Sequence, residues 1–302
     1  MKDTRTILKT ARGDVDLSSP VVVGVVNATP DSFSDTGERG TEASIRKVHS
    51  HLADGATIIE IGGESNVTNR PAVTAEVEIG RVLPVVEAAV AAGAIVSIDT
   101  YKPEVAEATL SAGAAIINDI SGSGREEMLA VCASHGAGMV VMHTEVAPKT
   151  QKWDEELYPD GVENRLLDFF EDRLGSLKAA GINRNQVVLD PGPDFAKTPR
   201  QTVESLWSIP DLLELGCPVM LAVSRKDFIG AITGRPPSGR AAGTFAAIAC
   251  GLDLGATVLR VHDVAGTVDF LKVRAAIEAD VEVPADLRIA EEVRREQPSG
   301  DS

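Results

Sequence analysis

The stretch Ala94–Gly122, AIVSIDTYKPEVAEATLSAGAAIINDISG, decides the fold of this 302-residue chain. An apolar, β-branched run ends at Asp99, a helical pattern opens at Pro103, and a second apolar run ends at Asn118 and Asp119. Proline is tolerated in a first helical turn, so the pattern indicates a strand, a helix and a second strand. Continuously apolar strands are typical of a parallel sheet, which binds ligands at the carboxyl ends of its strands.

The same alternation of apolar run and helical pattern recurs along the chain. The predicted strands are Val21–Asn27, Thr57–Glu64, Ala94–Thr100, Ala114–Ile120, Gly138–Thr144, Gln186–Gly192, Pro218–Ser224 and Thr257–Asp263. Helical patterns such as Thr74–Ala92 and Arg240–Leu254 lie between them. Eight such units over about 250 residues predict an α/β fold of the (β/α)8 type, a TIM barrel, with a doubly wound open sheet as the alternative.

The two ends of the chain differ from this barrel segment, which we place at residues 21–280. Residues 1–20 are polar and mixed, and predict a short N-terminal hairpin that turns at Arg12-Gly13-Asp14. Residues 281–302 become polar and charged after Pro284, which predicts a C-terminal tail or a short terminal helix.

Composition excludes several classes of partner. The formal net charge of −16 argues against nucleic acid and against an anionic membrane surface. No apolar run approaches the roughly 20 residues of a membrane helix, and Met1–Pro20 lacks the apolar core of a signal peptide. Cys132, Cys217 and Cys250 have no metal or redox spacing, so we expect buried thiols in a reducing cytoplasm. An anionic substrate would need locally concentrated Arg, Lys or His.

Every predicted strand ends in polar residues that a closed barrel would bring to one mouth. They are Asn27, Glu60, Glu64, Asp99, Asn118, Asp119, His143, Asp190, Ser224, Arg225, Lys226, Arg260 and His262. A single polar residue at a strand end means little, because strand ends are partly wet. Asp and Asn are disfavoured in strands and costly when buried unpaired, so polar residues at all eight ends favour a binding site. His143 is explained equally well as a structural histidine.

The charges of these residues suggest what they bind. Acceptor groups on Asp99, Asn118 and Asp190 suit a flat heterocycle with an amidine-like N–H edge, which a carboxylate can bind bidentately. The cations suited to a phosphate or diphosphate are Lys226, Arg260 and His262, with Arg70 nearby. Asn27 and the carboxylates of the loop after it offer the oxygen ligands that Mg²⁺ prefers.

These residues stand in motifs that resemble the dihydropteroate synthase family from about Val21 to Ala279. The matching motifs are Asn27-Ala28-Thr29-Pro30-Asp31-Ser32-Phe33-Ser34-Asp35, Ile61-Gly62-Gly63-Glu64-Ser65, Ser97-Ile98-Asp99-Thr100, Ile117-Asn118-Asp119-Ile120-Ser121-Gly122, Asp190-Pro191-Gly192, Ser224-Arg225-Lys226 and Arg260-Val261-His262-Asp263. The motifs occur in the family's order, each at a predicted strand end.

The resemblance implies a TIM barrel that condenses 6-hydroxymethyl-7,8-dihydropterin diphosphate with p-aminobenzoate or a related amine in folate biosynthesis. Diphosphate leaves, and the amine captures an SN1-like pterin cation. The implied pterin-binding residues are Asp99, Asn118, Asp190 and Lys226. The residues implied to bind the diphosphate and its Mg²⁺ are Arg260, His262 and the metal ligand Asn27. Thr68 and Arg70 are further implied substrate-binding residues. Lys226, Phe33 and Asp35 are the implied catalytic residues, the last two on a loop that closes over the site. A homodimer is also implied.

Three departures from the family pattern concern the second substrate. The loop Asn66–Ala72 is about three residues longer before Arg70-Pro71 than the family's, and Ala72 replaces a glycine. Asp194 stands where the family commonly has glycine, and Asp227 where a serine often helps bind the carboxylate of p-aminobenzoate. We therefore expect Asp227 to repel that carboxylate and weaken the use of p-aminobenzoate and the sensitivity to sulfonamides. The alternative is that Asp227 turns outward, to pair with an arginine or to cap its helix.

Two other functions fit the same motifs. One is a pterin-binding paralogue that has lost catalysis, and the other is a methyltransferase that binds methyltetrahydrofolate. The Arg260-Val261-His262 motif disfavours the second, because a methyl donor needs no diphosphate site.

Overall fold

The computed structural model describes residues 6–29, 40–65, 71–150, 157–290 and 293–295. Its strands are β1 Ile7–Thr10, β2 Gly13–Asp16, β3 Val21–Asn27, β4 Ile58–Gly62, β5 Ile95–Asp99, β6 Ile116–Asp119, β7 Gly138–Met142, β8 Val187–Asp190, β9 Met220–Leu221 and β10 Val258–Val261. Its α-helices are α1 Thr41–Ala53, α2 Ala75–Ala91, α3 Pro103–Ser111, α4 Glu126–His135, α5 Val162–Ala179, α6 Pro199–Trp207, α7 Ile209–Glu214, α8 Asp227–Thr233, α9 Ala241–Asp253 and α10 Val264–Ile277.

The strands β3–β10 form one parallel sheet in the order β8-β7-β6-β5-β4-β3-β10-β9. The sheet closes where Leu189 of β8 bridges to Val219, the residue before β9. The backbone N–H of Leu189 donates to the carbonyl oxygen of Pro218 over 2.9 Å at the same place. The predicted (β/α)8 barrel is therefore confirmed, because a doubly wound sheet would leave these two strands as unpaired edges.

The predicted helix ends are close to the observed ones. Thr74 caps α2 by accepting a hydrogen bond from the N–H of Val77, and Pro103 is the first residue of α3. The seventh strand of the barrel is much shorter than predicted, since β9 covers two residues rather than Pro218–Ser224. Beyond β9 the chain runs without strand pairing into a turn at Arg225, whose φ of 59° is incompatible with a strand.

The amino-terminal end of the barrel is closed by the hairpin of β1 and β2. Leu8, Val15 and Leu17 are buried against residues at the starts of the barrel strands, including Val21 and Ile58. The hairpin pairs Thr10 with Gly13, so its turn is at residues 11–12, one residue earlier than predicted. Burial of each of these apolar side chains stabilises the fold by about 1.5–3 kcal/mol. The covered end leaves the opposite mouth, at the carboxyl ends of the strands, for ligands.

The helix α10 ends at Ile277, and the described residues after it are exposed and form neither strand nor α-helix. None of the described helices combines the length and the apolar composition that crossing a bilayer requires.

Candidate active site

The strand register places the predicted polar residues side by side at the open mouth. Asn27 of β3 pairs with Gly62, Gly62 pairs with Asp99, and Asp99 pairs with Asn118. Register partners in a parallel sheet point to the same face, so these side chains belong to one layer of the barrel. Asn27 is exposed, whereas Asp99 and Asn118 are buried.

A buried ionic network lies beneath this layer and centres on Glu60, whose side chain is fully buried. One carboxylate oxygen of Glu60 accepts a hydrogen bond from Nε of Arg260 over 2.5 Å, and the other accepts from Nδ2 of Asn118 over 2.9 Å. Nη2 of Arg260 donates to Oδ2 of Asp99 over 3.0 Å. Burial would lower the pKa of Arg260, but Glu60 and Asp99 raise it above its usual range. The network therefore keeps Arg260 charged and fixed in one orientation.

Asn118 has a side-chain oxygen available to a ligand. Its Nδ2 donates a hydrogen bond to Glu60, which fixes the amide group with its oxygen on the side away from Glu60. That Oδ1 is buried and has no hydrogen-bond partner in the part of the chain that the structure describes. An unpaired buried acceptor costs about 1–3 kcal/mol, and an N–H group of a ligand at this position would remove the cost.

Asp190, at the end of β8, is also buried. Burial raises the pKa of its carboxyl group, while the N–H of Gly192 and the charges of Lys226 and Arg260 oppose that rise. The N–H of Gly192 donates to Oδ1 over 2.8 Å. Gly192 has φ of 65°, and a Cβ there would lie 2.1 Å from the carbonyl oxygen of His143, so only glycine fits this turn.

Lys226 and His262 complete the mouth. The ammonium of Lys226 lies 4.4 Å from the ring centroid of Phe195. Burial lowers the pKa of Lys226, and the nearby carboxylates of Asp194, Asp190 and Asp99 oppose that shift. Nδ1 of His262 lies 3.1 Å from Oγ of Ser224. Burial, with the charges of Arg260, Arg225 and Lys226, lowers the pKa of His262 to about 4, so it is neutral at pH 7 rather than the cation we expected.

Four of the predicted site residues, Phe33, Asp35, Thr68 and Arg70, lie outside the described residues. Across the described ranges, no three His, Cys, Asp or Glu side chains cluster so as to hold a metal ion by themselves. Asn27 thus offers one oxygen ligand at the mouth, and a metal bound there would take its other ligands from a substrate or water.

His143 has the surroundings of a structural histidine. Its Nδ1 accepts a hydrogen bond from the buried ammonium of Lys197 over 2.8 Å, and its Nε2 lies 3.1 Å from Oε1 of Glu145. Burial lowers the pKa of His143 to about 3 and that of Lys197 to about 7. Lys197 also donates to the carbonyl oxygens of Gly192 and Phe195, so this pair holds the turn that follows Asp190.

Glu60 was expected at the mouth as one of the polar strand-end residues but with no specific role, and Lys197 was not expected there. A detectable signal existed for Glu60, because a glutamate inside the apolar strand β4 must find a cation when the strand is buried. Lys197 follows β8 by seven residues in a loop, where nothing in the local pattern distinguishes a buried lysine from a solvated one.

Glu64, which precedes the lengthened second loop, is hydrogen-bonded to Val73, which follows it. Its Oε2 accepts a hydrogen bond from the N–H of Val73 over 2.8 Å and from Nζ of Lys102 over 2.7 Å. Its Oε1 accepts from the hydroxyl of Tyr101 over 3.0 Å. These partners account for Glu64 as a structural carboxylate rather than a ligand contact.

Asp227 takes the outward orientation of the two that the sequence allowed. Its side chain is 79% exposed, and Oδ1 accepts a hydrogen bond from Nη1 of Arg240 over 2.7 Å. The repulsion that we expected between Asp227 and a substrate carboxylate is weakened accordingly, because the charge is paired and faces water.

Comparison with known proteins agrees with this geometry. A family model described as pterin binding enzyme matches residues 23–262. The dihydropteroate synthase of Bacillus subtilis is 38% identical over 247 residues, 81% of this chain and 84% of that protein. The dihydropteroate synthase of Synechocystis sp. is 38% identical over 260 residues, 85% of this chain and 89% of that protein.

Solved structures extend the likeness to the fold. Dihydropteroate synthase from Xanthomonas albilineans with 4-aminobenzoic acid has a TM-score of 0.84 and 38% identity, covering 93% of this chain and 100% of that one. The same enzyme in complex with 7,8-dihydropteroate has a TM-score of 0.78 and 39% identity, covering 90% and 97%. The chain therefore belongs to the pterin-binding enzyme family. Its relatives named here are dihydropteroate synthases, so it is an enzyme of the transferase class.

Proposed function

We propose that the chain is a dihydropteroate synthase in folate biosynthesis. In that reaction the bond between the pterin methylene carbon and a diphosphate oxygen breaks, and diphosphate leaves with the electron pair. The amino nitrogen of p-aminobenzoate bonds to the same carbon and loses a proton. The observation that carries the proposal is the convergence of Asp190, Asn118, Lys226 and Arg260 at the one open mouth of the barrel.

The pterin ring would bind through the buried acceptors. Asp190 is held by Gly192 in one orientation, and the oxygen of Asn118 is held by the bond from its amide nitrogen to Glu60. Both groups are therefore oriented before a ligand binds, and they match the N–H edge of a pterin. The ammonium of Lys226 supplies a donor to the ring's acceptors from the neighbouring strand end.

Departure of the diphosphate depends on positive charge at the mouth. Lys226 and Arg260 carry the positive charges there, of which Arg260 is also paired with Glu60 and Asp99, and His262 adds a hydrogen-bonding group beside Ser224. A bound polyanion would raise the pKa of His262, because it opposes the neighbouring cations that now lower it. No described side chain has to form a covalent intermediate, since a pterin cation that is shielded from water reacts directly with the amine.

The resemblance implies Mg²⁺, and the donor set at the mouth fits a metal shared with the substrate. Asn27 would hold it through its side-chain oxygen, with diphosphate oxygens as the other ligands. When bound, Mg²⁺ would neutralise charge on the departing diphosphate. We expect chelation of Mg²⁺, or Asn27→Ala, to weaken binding of the pterin diphosphate but not of the pterin alcohol. Equal diphosphate affinity in excess chelator would remove the metal from the proposal.

The proposal retains Phe33, Asp35, Thr68 and Arg70 as functional residues on the strength of their sequence motifs. It also includes a homodimer and a cytoplasmic location. The dimer is supported by two exposed apolar side chains one helical turn apart on α10, Val273 and Ile277, which are 60% and 80% exposed. The location is supported by three free thiols, of which Cys132 and Cys217 are buried as expected, whereas Cys250 is exposed rather than buried.

Diphosphate release tests the proposed reaction. Purified protein is mixed with 6-hydroxymethyl-7,8-dihydropterin diphosphate, Mg²⁺ and p-aminobenzoate, and dihydropteroate is measured by chromatography alongside the released diphosphate. We expect equal amounts of both products. Pterin binding without release, for p-aminobenzoate and related aryl amines, would identify a non-catalytic paralogue instead. Transfer of a methyl group from methyltetrahydrofolate to a corrinoid would identify a methyltransferase.

A further inference from the structure

Asp194 has an unusual backbone conformation for a residue with a side chain. It lies in the loop between β8 and α6 with φ of 65°, in the left-handed region that favours glycine. Its own N–H donates to Oγ1 of Thr202 over 3.1 Å, which fixes the loop against α6. Because this conformation is costly for a residue other than glycine, contacts of the Asp194 side chain are needed to account for it.

The carboxylate of Asp194 reaches the start of another element, the helix α8. Its Oδ2 accepts a hydrogen bond from the N–H of Asp227 over 2.5 Å, and its Oδ1 accepts from the N–H of Phe228 over 3.2 Å. These are the first two N–H groups of α8, which lack partners within the helix. Lys226, the residue at the cap position of α8, provides no side-chain cap of its own. The loop after β8 therefore supplies the cap for the helix after β9.

This contact fixes the backbone on the carboxyl side of Lys226. On the other side, the turn at Arg225 is held by Thr244, whose Oγ1 accepts from the N–H of Arg225 over 3.1 Å. Nη1 of Arg240 donates to the carbonyl oxygen of Arg225 over 2.9 Å. Phe195, the residue after Asp194, places its ring 4.4 Å from the Lys226 ammonium. Asp194 and Phe195 together hold both the backbone and the side chain of Lys226.

The charges around Lys226 come from four elements of the barrel. They are Asp194 from the loop after β8, Asp190 of β8, Asp99 of β5 and the opposing cation Arg260 of β10, with Lys197 and the neutral imidazole of His262 also facing this group. Among the carboxylates, Asp194 has the largest effect in raising the pKa of Lys226 against its burial. Asp227, although adjacent in sequence, directs its charge to Arg240 instead.

We propose that Asp194 is a positioning residue that holds the Lys226 ammonium at the pterin end of the barrel mouth. This inference rests on the proposed function for its role in catalysis, but its structural part concerns the free protein. Asp194→Gly removes the carboxylate and suits φ of 65°, while Asp194→Asn removes the charge and keeps the shape. Asp227→Asn is the matched control, because it removes a carboxylate from the same helix start that does not contact the N–H groups.

The first experiment measures Lys226 in the free protein. Each variant is pulse-labelled with acetic anhydride across a pH series, and modification of Lys226 is quantified by peptide mass spectrometry, with thermal unfolding confirming the fold. Loss of Asp194 lowers the pKa of Lys226 further, because it removes the anion that raises it most. We expect the labelling midpoint to move to lower pH in both Asp194 variants and to stay unchanged in Asp227→Asn. Identical midpoints in all four folded proteins would overturn the assignment.

The second experiment measures ligand binding by calorimetric titration with the pterin diphosphate. We expect both Asp194 variants to bind about tenfold more weakly than the wild type at pH 8, as for residues coupled through direct contacts. Asp227→Asn should bind like the wild type. Wild-type affinity in both folded Asp194 variants would contradict the positioning role. Absence of binding to the wild type would instead contradict the proposed function, and the labelling result would still decide the role of Asp194.

Discussion

The network around Glu60 makes the substitution Glu60→Gln informative. Both oxygens of Glu60 accept hydrogen bonds, one from Arg260 over 2.5 Å and one from Asn118 over 2.9 Å. A glutamine has one oxygen and one NH₂ group, so one of the two donors must face another donor. The side chain is fully buried, and no water from the surface can relieve that conflict without a rearrangement.

The expected cost follows from these contacts. Loss of the charge on Glu60 leaves Arg260 with Asp99 as its remaining carboxylate partner in the network, and breaking a buried ion pair typically costs 3–5 kcal/mol. The hydrogen bond from Asn118 to the Glu60 carboxylate is charge-assisted, and its weakening adds at least about 1 kcal/mol. We therefore expect Glu60→Gln to reduce the free energy of unfolding by about 3–5 kcal/mol, since Asp99 offsets part of the total.

Urea unfolding followed by circular dichroism measures this change. Glu107→Gln is the control, because Glu107 is half exposed and pairs with His135 at the surface, where the expected change is within about 0.5 kcal/mol. Asn118 should also lose its fixed orientation in Glu60→Gln, so pterin affinity should fall together with stability. A change in unfolding free energy of less than about 1 kcal/mol for Glu60→Gln would refute the reasoning, because it would fall below the ordinary cost of a broken buried pair.

Three further predictions concern the hairpin that closes the amino-terminal end of the barrel, the turn after Asp190, and pH. Leu8→Ala should reduce the free energy of unfolding by about 2–5 kcal/mol in urea titration, because Leu8 of the hairpin is buried; a loss below about 0.5 kcal/mol would contradict the closed end. Gly192→Ala should weaken pterin binding at least about tenfold by calorimetry, since its Cβ would meet the carbonyl of His143; unchanged affinity would show that the turn adapts. The free energy of unfolding should fall as pH falls from about 6.5 to 4, because the pKa of His262 is lowered to about 4 in the folded chain and the unfolded chain binds the proton first. His262→Gln should reduce this pH dependence. An unchanged dependence would exclude His262 as a source of it.

Much of the fold could be predicted because its signals are local. Buried parallel strands are apolar throughout, and the cap residue Thr74 and the first-turn proline Pro103 mark helix starts in the sequence itself. The polar ends of the strands also predicted the composition of the mouth, since the topology of a barrel brings those ends together. The brevity of β9 could not be predicted, because Ala222 and Val223 are as apolar as strand residues although they lie beyond the end of the strand.

The pairings within the site depend on contacts that are distant in sequence. Glu60 and Arg260 are separated by 200 residues and meet only because the barrel closes. The same limit explains Asp227, whose partner Arg240 lies 13 residues further along the chain, and Asp194, which reaches the start of α8 from the loop after β8. The neutral state of His262 follows from burial beside three cations, which no single motif contains. Sequence therefore predicted which groups gather and left open how they pair.

The measurement that tests the pterin site most directly is calorimetric titration of the wild type and of Asp190→Asn with the pterin diphosphate. Asp190 is buried at the carboxyl end of β8, where its carboxylate would pair with the N–H edge of the ring. A hydrogen bond to a charged group contributes about 1.5–3 kcal/mol, so the affinity should fall by roughly 10- to 150-fold in the folded variant. Equal affinity of the wild type and of Asp190→Asn would contradict pterin recognition at this mouth.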